Sequence, residues 1–193
     1  MLSNLFICAS KEKNRFEKHV PAPFFRRRFT LTRRQSAEIT ICGLGFYELY
    51  INGEKITKGR LAPYISNPDD VVYYDKYDLT DHIRSGENVV GILLGNGLIN
   101  NPGGKTWDFD KAGFRSSPKF AIHFSSDEVR FEADDKFKTA DSPILFDDYR
   151  CGEIYDARRE IEGWTLPGFN DSDWKTPIKA EAPKGMRRYC TAE

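Results

Sequence analysis

The chain has 193 residues, and its 29 Lys and Arg residues balance its 29 Asp and Glu residues, which leaves no net charge at pH 7. Because no overall field draws it to nucleic acid or to an anionic membrane, we expect a neutral partner. The length allows one domain with a sizeable core but hardly two, and 13% aromatic residues are typical of short strands with polar loops.

Apolar runs separated by turn residues fill the first half of the chain. The Asn52-Gly53 pair is typical of a two-residue type I′ hairpin, because both central residues of that turn need a positive φ. Short strands at this spacing predict an all-β sandwich. The strands predicted there are 4–9, 25–31, 37–42, 47–51, 71–78 and 89–94.

Three consecutive arginines, Arg26 to Arg28, lie within the second predicted strand. Strand alternation places Phe25, Arg27 and Phe29 on one face, so Arg27 must form a pair or extend its charged end to solvent there. We interpret the run as strand surface. An anion-binding patch is the alternative, but alternation divides the three charges between two faces.

The next segment is predicted to be one helical turn followed by a central strand. The turn covers 80–85, is capped by Asp78 or Thr80, and ends at Gly86. The apolar run from Val89 to Leu94 does not alternate, which predicts a strand buried on both faces at the centre of the sandwich.

The segment from Gly95 to Ser117 is rich in Gly, Asn and Pro. A loop that long inside a compact domain usually carries function or moves, so it is the first place to look for a site. Two further strands are predicted at 119–124 and 128–133. The tail from residue 163 shows no periodicity, and its Trp164 and Trp174 are expected to cover an edge of the core.

The four cysteines lie far apart in the chain, at Cys8, Cys42, Cys151 and Cys190. They form no Cys-x-x-Cys pair and have no His at ligand spacing, which argues against a zinc or thioredoxin-like site. We interpret them as buried thiols, although three disulfide pairings are also compatible with the sequence.

The N-terminus carries no recognisable targeting segment, since its apolar run is too short for a signal peptide and no basic residue precedes it. No transmembrane span is visible. The protein is therefore expected to be periplasmic or secreted if its native form carries an export signal, and cytoplasmic otherwise.

A series of short motifs covers most of the chain in a characteristic order. They are Pro21-Ala-Pro-Phe-Phe-Arg-Arg-Arg-Phe29, Gly45-Phe-Tyr-Glu-Leu-Tyr-Ile-Asn-Gly53, Leu61-Ala-Pro63, Tyr77-Asp-Leu-Thr80, Gly86-Glu-Asn88, Leu94-Gly-Asn-Gly97, Gly152-Glu-Ile-Tyr-Asp-Ala-Arg158, Gly163-Trp164 and Asp171-Ser-Asp-Trp174. In this order the sequence resembles the N-terminal β-sandwich domain of bacterial α-L-rhamnosidases. The resemblance implies a jelly-roll sandwich of the galactose-binding-like type, placed ahead of an (α/α)₆ barrel that holds the catalytic carboxylates.

The chain itself has almost no amphipathic helix from which a helical barrel could form. Glu153 and Asp156 are the best acid pair for a glycosidase, but a pair chosen from 29 carboxylates is arbitrary without a known separation. We therefore expect residues 1–193 to be one non-catalytic sandwich module with one or two short helical turns, the N-terminal fragment of a larger enzyme. It would bind L-rhamnose or a related carbohydrate, or act as a scaffold that packs against the catalytic domain of the same polypeptide.

The resemblance further implies a rhamnoside site assisted by calcium, an ion that prefers six to eight oxygen ligands. Loops gather at the ends of a sandwich, so we expect Asn96, Asp147, Asp148 and Glu153 to approach one another at one end. The candidate metal ligands are Asn52, Asn96, Asp147 and Asp148, and the candidate carbohydrate-binding residues are Asn96, Gly97, Trp107, Tyr149 and Glu153.

A purely structural interpretation of the same residues stays open. Asn96 between two glycines is what a turn with positive φ needs, and Asp147 and Asp148 can cap the turn before Tyr149. The sequence also departs from the family where Leu98-Ile99 follows the Gly-Asn-Gly turn, because aromatic residues are common there.

Overall fold

Two mainly antiparallel sheets pack against each other across one apolar core in the computed structural model, which describes residues 2–59, 62–104 and 108–191. Phe25 and Phe29 of one sheet contact Phe120 and Phe124 of the other, with ring centroids 4.9 and 4.7 Å apart. The predicted all-β jelly-roll sandwich is confirmed.

The strands are β1 (Phe6–Cys8), β2 (Pro23–Leu31), β3 (Ala37–Leu44), β4 (Tyr47–Ile51), β5 (Glu54–Lys55), β6 (Val71–Asp78), β7 (Gly86–Leu94), β8 (Lys119–Ser126), β9 (Arg130–Glu132), β10 (Lys138–Asp141), β11 (Ile144–Asp148), β12 (Gly152–Tyr155), β13 (Ile178–Ala180) and β14 (Met186–Tyr189). Two short 3₁₀ helices cover Phe109–Lys111 and Ala157–Arg159. None of the helices in the described residues is long and apolar enough to cross a membrane.

The strands form three sheets. The seven-stranded sheet has the order β13-β1-β8-β3-β6-β14, with β9 paired to β8, and the five-stranded sheet has the order β10-β2-β7-β4-β5. Strands β11 and β12 form a separate hairpin. Strand β14 is parallel to β6, so the last described strand closes one edge of the larger sheet.

All eight strands that the sequence bounds are present, and β4 and β6 have the predicted limits. The predicted helical turn is a single hydrogen-bonded turn, in which Ile83 N donates to Leu79 O (3.2 Å) and Thr80 N donates to Asp78 Oδ1 (2.9 Å). Strands β10 to β14 are absent from the prediction because each has only three to five residues, too few to show a clear alternation, and β12 to β14 are also mostly exposed.

Strand β7 lies at the centre of the five-stranded sheet, as its unbroken apolar run predicts. Val90 and Ile92 are completely buried in the core, and Val89 is completely buried as well. The hairpin at its neighbour β4 has the predicted positive φ angles, 52° at Asn52 and 91° at Gly53. Leu93 is only partly buried and faces the outer surface of the sheet, where it helps to form the groove described below.

Arg27 forms the pair that its core-facing position requires. It makes an ion pair with Asp134, and its guanidinium lies 3.9 Å from the ring centroid of Phe131. The buried charge is therefore compensated both by a carboxylate and by an aromatic face.

The interpretation of the arginine run as strand surface is wrong for Arg26, which is completely buried. Its guanidinium forms an ion pair with Asp171 and donates to the carbonyl oxygens of Trp164 (2.9 Å) and Leu166 (3.2 Å). The reason is that the segment from Trp164 to Asp171 crosses the outer face of β2 and supplies the hydrogen-bond acceptors that a buried guanidinium needs.

Aromatic stacking holds the same crossing segment on the sheet. The Trp164 ring stacks on Phe24 with centroids 4.1 Å apart, and Trp174 lies 6.4 Å from Phe24 in nearly parallel planes. A Cβ atom at Gly91 would lie 2.9 Å from the Thr165 side chain, so β7 needs glycine where the segment crosses it. The two tryptophans therefore lie on the outer face of the five-stranded sheet and not at the predicted edge of the core.

The prediction of buried thiols is correct for Cys8 and Cys42 and wrong for Cys151, which is exposed. Cys151 lies in the turn between β11 and β12. Cys190 is half-buried.

We expect Arg26→Ala to lower the free energy of unfolding by about 3–5 kcal/mol, because it leaves the Asp171 carboxylate buried and without its main partner. Chemical denaturation measures this loss. Arg28→Ala is the matched control, since Arg28 contacts the same carboxylate at 3.1 Å but its side chain is 51% exposed. The control should cost no more than about 1 kcal/mol. Equal losses for the two variants would contradict the assignment.

Candidate functional site

Asp147 fixes the turn that follows β7. Its carboxylate accepts hydrogen bonds from Asn96 N (2.6 Å), Asn96 Nδ2 (2.7 Å) and Gly97 N (3.3 Å). Two of these donors are backbone groups of the Leu94-Gly-Asn-Gly97 motif. The carboxylate therefore holds this loop in one position relative to β11.

Asn96 extends this contact into a buried network. Its Nδ2 also donates to Val20 O (2.9 Å), and its Oδ1 accepts from Asn100 Nδ2 (2.7 Å). Asn100 Oδ1 in turn accepts from Asn14 N (3.0 Å). Asn96, Asn100 and Asn14 are all completely buried, so the network joins the N-terminal segment to the loop after β7 without solvent between them.

The electrostatic environment of Asp147 combines two opposing effects. Burial raises the pKa of its carboxyl group, whereas the N–H donors of Asn96 and Gly97 lower it, and burial is the larger effect. The neighbouring Asp148 carboxylate raises the pKa further. Asp147 is therefore partly buried, and it lies at the wall of the open groove described below.

Glycines allow the loops to approach closely at this point. A Cβ atom at Gly45, where φ is +107°, would lie 2.1 Å from Gly95 O. One at Gly97 would lie 3.2 Å from the Cα atom of Gly45. The two glycines are needed because the backbones of the loops after β3 and β7 touch here.

An open groove of about 590 Å³ lies beside this junction, between β4 and the β11–β12 hairpin. Tyr149, at the tip of the hairpin, is 50% exposed, and its ring centroid lies 6.3 Å from that of Phe46. Glu153 is exposed and is the cross-strand partner of Asp147. The groove thus combines aromatic rings with carboxylates.

The structure brings most of the predicted site residues to this one end of the sandwich. Gly97, Asp147, Asp148, Tyr149 and Glu153 line the groove. Asn96 lies directly behind it, bonded to Asp147 and completely buried, so it can position the site but cannot contact a ligand. Trp107 lies outside the described residues.

Asn52 is at the other end of β4, away from this cluster. It donates to Asn88 Oδ1 (2.8 Å), and its Oδ1 accepts from Val89 N (2.9 Å). The strand register explains the separation, because Tyr47 pairs with Leu94 beside the groove whereas Ile51 pairs with Val90 at the hairpin end. In the described structure Asn52 therefore stabilises its own hairpin.

The arrangement of the oxygen donors bears on the expected calcium ion. Both oxygens of Asp147 accept N–H groups, and Asp148 accepts Asn101 Nδ2, Arg150 N (2.9 Å) and Cys151 N (2.7 Å). In this arrangement the carboxylate oxygens serve a hydrogen-bonded loop junction and do not form an open calcium site. Within the described residues, no group of three His, Cys, Asp or Glu side chains is placed to hold a metal. Calcium stays a prediction, and its binding would require these carboxylates to exchange N–H donors for the ion.

Sequence reasoning missed the contribution of β4 to the groove. Glu48 and Tyr50 alternate with the buried Tyr47, Leu49 and Ile51, which directs Glu48 and Tyr50 to the outer face. Glu48 forms an ion pair with Lys55 of β5, and both residues line the groove. The alternation along β4 predicts that these two residues face outward. It does not show whether a later segment of the chain covers them.

We expect Asp147→Ala to lower the free energy of unfolding by about 2–4 kcal/mol, because it leaves the buried N–H groups of Asn96 without an acceptor. Urea denaturation is the measurement. Glu153→Ala is the control: it removes a carboxylate from the partner strand at an exposed position, and should change stability by no more than about 0.5 kcal/mol. If Asp147→Ala were equally mild, the junction would not hold the loop.

Comparison with known proteins gives consistent matches. A family model described as "Alpha-L-rhamnosidase N-terminal domain" matches residues 32–192. An α-L-rhamnosidase of Formosa agariphila is 36% identical over 163 residues, which cover 79% of this chain and 17% of that protein.

Two solved structures support the same relationship. The structure of α-L-rhamnosidase from Dictyoglumus thermophilum superposes with a TM-score of 0.81 and 33% identity over 96% of this chain and 22% of that one. The α-L-rhamnosidase of Streptomyces avermitilis, solved in complex with L-rhamnose, gives a TM-score of 0.76 and 27% identity over 86% of this chain and 17% of that one. The chain thus spans about a fifth of the length of these relatives.

Proposed function

We propose that this chain, which belongs to the family of α-L-rhamnosidase N-terminal domains, is a non-catalytic accessory domain that binds L-rhamnose or a related carbohydrate. The observation that supports the proposal is the groove beside Asp147, where an exposed tyrosine ring and carboxylates surround a loop junction fixed by buried hydrogen bonds. One end of the sandwich thus combines an open cavity with a rigid base.

The side chains of the groove match the chemistry of a neutral sugar. The ring of Tyr149 offers an apolar face for the C–H groups of a pyranose, and the carboxylates of Glu153 and Glu48 can accept hydrogen bonds from its hydroxyl groups. Lys55, paired with Glu48, can donate to a sugar oxygen. A few polar groups around an apolar face are what small-molecule sites use for orientation.

The buried network behind the groove would favour binding by keeping these groups in place. Asn96 fixes Asp147, and Asp147 fixes the loop that forms one rim of the groove. A rim that is already ordered loses little conformational entropy when a ligand binds. The L-rhamnose complex of the Streptomyces avermitilis relative supports the choice of sugar.

We expect isothermal titration of the chain with L-rhamnose to show binding that Tyr149→Ala weakens by about tenfold, the equivalent of losing roughly 1.4 kcal/mol of ring contact. Glu153→Gln should weaken it less, because an amide keeps one acceptor oxygen. Tyr64→Ala is the control, since Tyr64 is equally exposed but is not among the residues that line this groove. Absence of binding at millimolar sugar would refute the proposal.

Titrations with added calcium and with EDTA test the predicted ion in the same experiment. A fall in affinity on chelation would show that calcium joins the site by displacing N–H donors from Asp147 or Asp148. An assay with an aryl rhamnoside tests the lack of catalysis, and release of nitrophenol by the purified chain would contradict it.

A scaffold role, in which the domain packs against the catalytic (α/α)₆ barrel without binding sugar, is the second candidate. The apolar side chains exposed on the edge strands favour it, with Met186 75% exposed on β14 and Ile178 40% exposed on β13. Uncovered apolar groups of this kind are typical of contact surfaces. Self-association in sedimentation together with no response to rhamnose would support the scaffold, and a clean monomer would count against it.

A further inference from the structure

A second cavity continues the proposed sugar groove along the outer face of the five-stranded sheet. It has a volume of about 230 Å³ and lies between Tyr50, Tyr155 and Trp164. Leu93 and Ile144 line both this cavity and the larger one beside Asp147. The two cavities are therefore neighbouring parts of one longer groove.

The two walls of the groove repeat the same pair of side chains. On one side β4 places Glu48 in the first cavity and Tyr50 in the second, and on the other side β12 places Glu153 in the first and Tyr155 in the second. Within each strand the two residues are two positions apart, so they face the same way. Each cavity thus receives one residue from each wall.

Hydrogen bonds hold these walls in position. Tyr50 O–H donates to Glu48 Oε2 (2.6 Å), which couples the second cavity to the first. Tyr155 O–H donates to Glu160 at the far rim. The end of the groove is closed by Trp164, whose ring lies 5.6 Å from that of Tyr50 in an edge-on arrangement and stacks on Phe24.

We infer that the groove holds at least two linked sugar units, so that its ligand is a neutral oligosaccharide rather than a single rhamnose. This inference rests on the proposed function and specifies its ligand. Two residues along a strand cover roughly 6.6 Å, which is slightly more than one pyranose ring with its glycosidic oxygen needs. One unit occupies the first cavity beside Tyr149, and the next contacts Tyr155 and Tyr50 in the second.

The negative charge of the groove lining favours an uncharged oligosaccharide. Glu48 and Glu153 line the first cavity, and Glu160 and Glu162 line the second, whereas Lys55 is already paired with Glu48. Carboxylates accept hydrogen bonds from sugar hydroxyl groups but repel an anionic sugar. The groove therefore favours unsubstituted deoxyhexose or hexose units over uronic acids.

Titration of the chain with L-rhamnose and with a neutral rhamnose disaccharide and trisaccharide tests the inference. We expect the oligosaccharides to bind at least tenfold more tightly than the monosaccharide. Tyr155→Ala should lower oligosaccharide affinity about fivefold and leave monosaccharide affinity unchanged, while Tyr155→Phe, which keeps the ring, should retain most of it. Tyr64→Ala is again the control and should change neither affinity.

The outcomes separate this inference from the function on which it rests. Equal affinity for one, two and three sugar units would overturn the two-unit groove and leave rhamnose binding intact. An equal loss of monosaccharide and oligosaccharide affinity in Tyr155→Ala would overturn it as well. No binding of any of the three sugars would refute the proposed function itself.

Discussion

The carboxylate of Asp147 holds together the end of the sandwich on which the candidate site depends. It accepts three N–H groups from Asn96 and Gly97, and these bonds favour its charged form, whereas burial favours its protonation. The bond from Asn101 Nδ2 to Asp148 adds a second link between the loop after β7 and the β11–β12 hairpin. These hydrogen bonds fix the two rims of the groove relative to each other.

A second buried charge decides where the groove ends. The Arg26–Asp171 ion pair holds the segment that carries Trp164 across the outer face of β2 and β7. The segment covers Gly91 but not Leu93, two residues further along β7. The outer face is thus divided into a covered part, stabilised by aromatic stacking, and an open part that is free for a ligand.

Short sequence patterns predicted the features that depend on neighbouring residues alone. The unbroken apolar run to Leu94 indicated the central strand, and the Asn52-Gly53 pair indicated the hairpin, because both signals are contained within a few residues. The burial of Arg26 could not be predicted, since its partner Asp171 follows 145 residues later in the chain. For the same reason the sequence could indicate Asn96 as important but could not separate a ligand contact from a buried support.

The residues that fix the backbone of the groove differ from the residues that are exposed in it. In this groove Asn96 is completely buried and Asp147 is partly buried, and both are held by hydrogen bonds to the backbone, whereas Tyr149, Glu153 and Tyr155 are exposed. Changes to the exposed residues can therefore alter the proposed ligand contacts with little effect on stability. The hydrogen-bonded base does not depend on the lining, so the fold of this end of the sandwich is compatible with both proposed functions, sugar binding and a scaffold role.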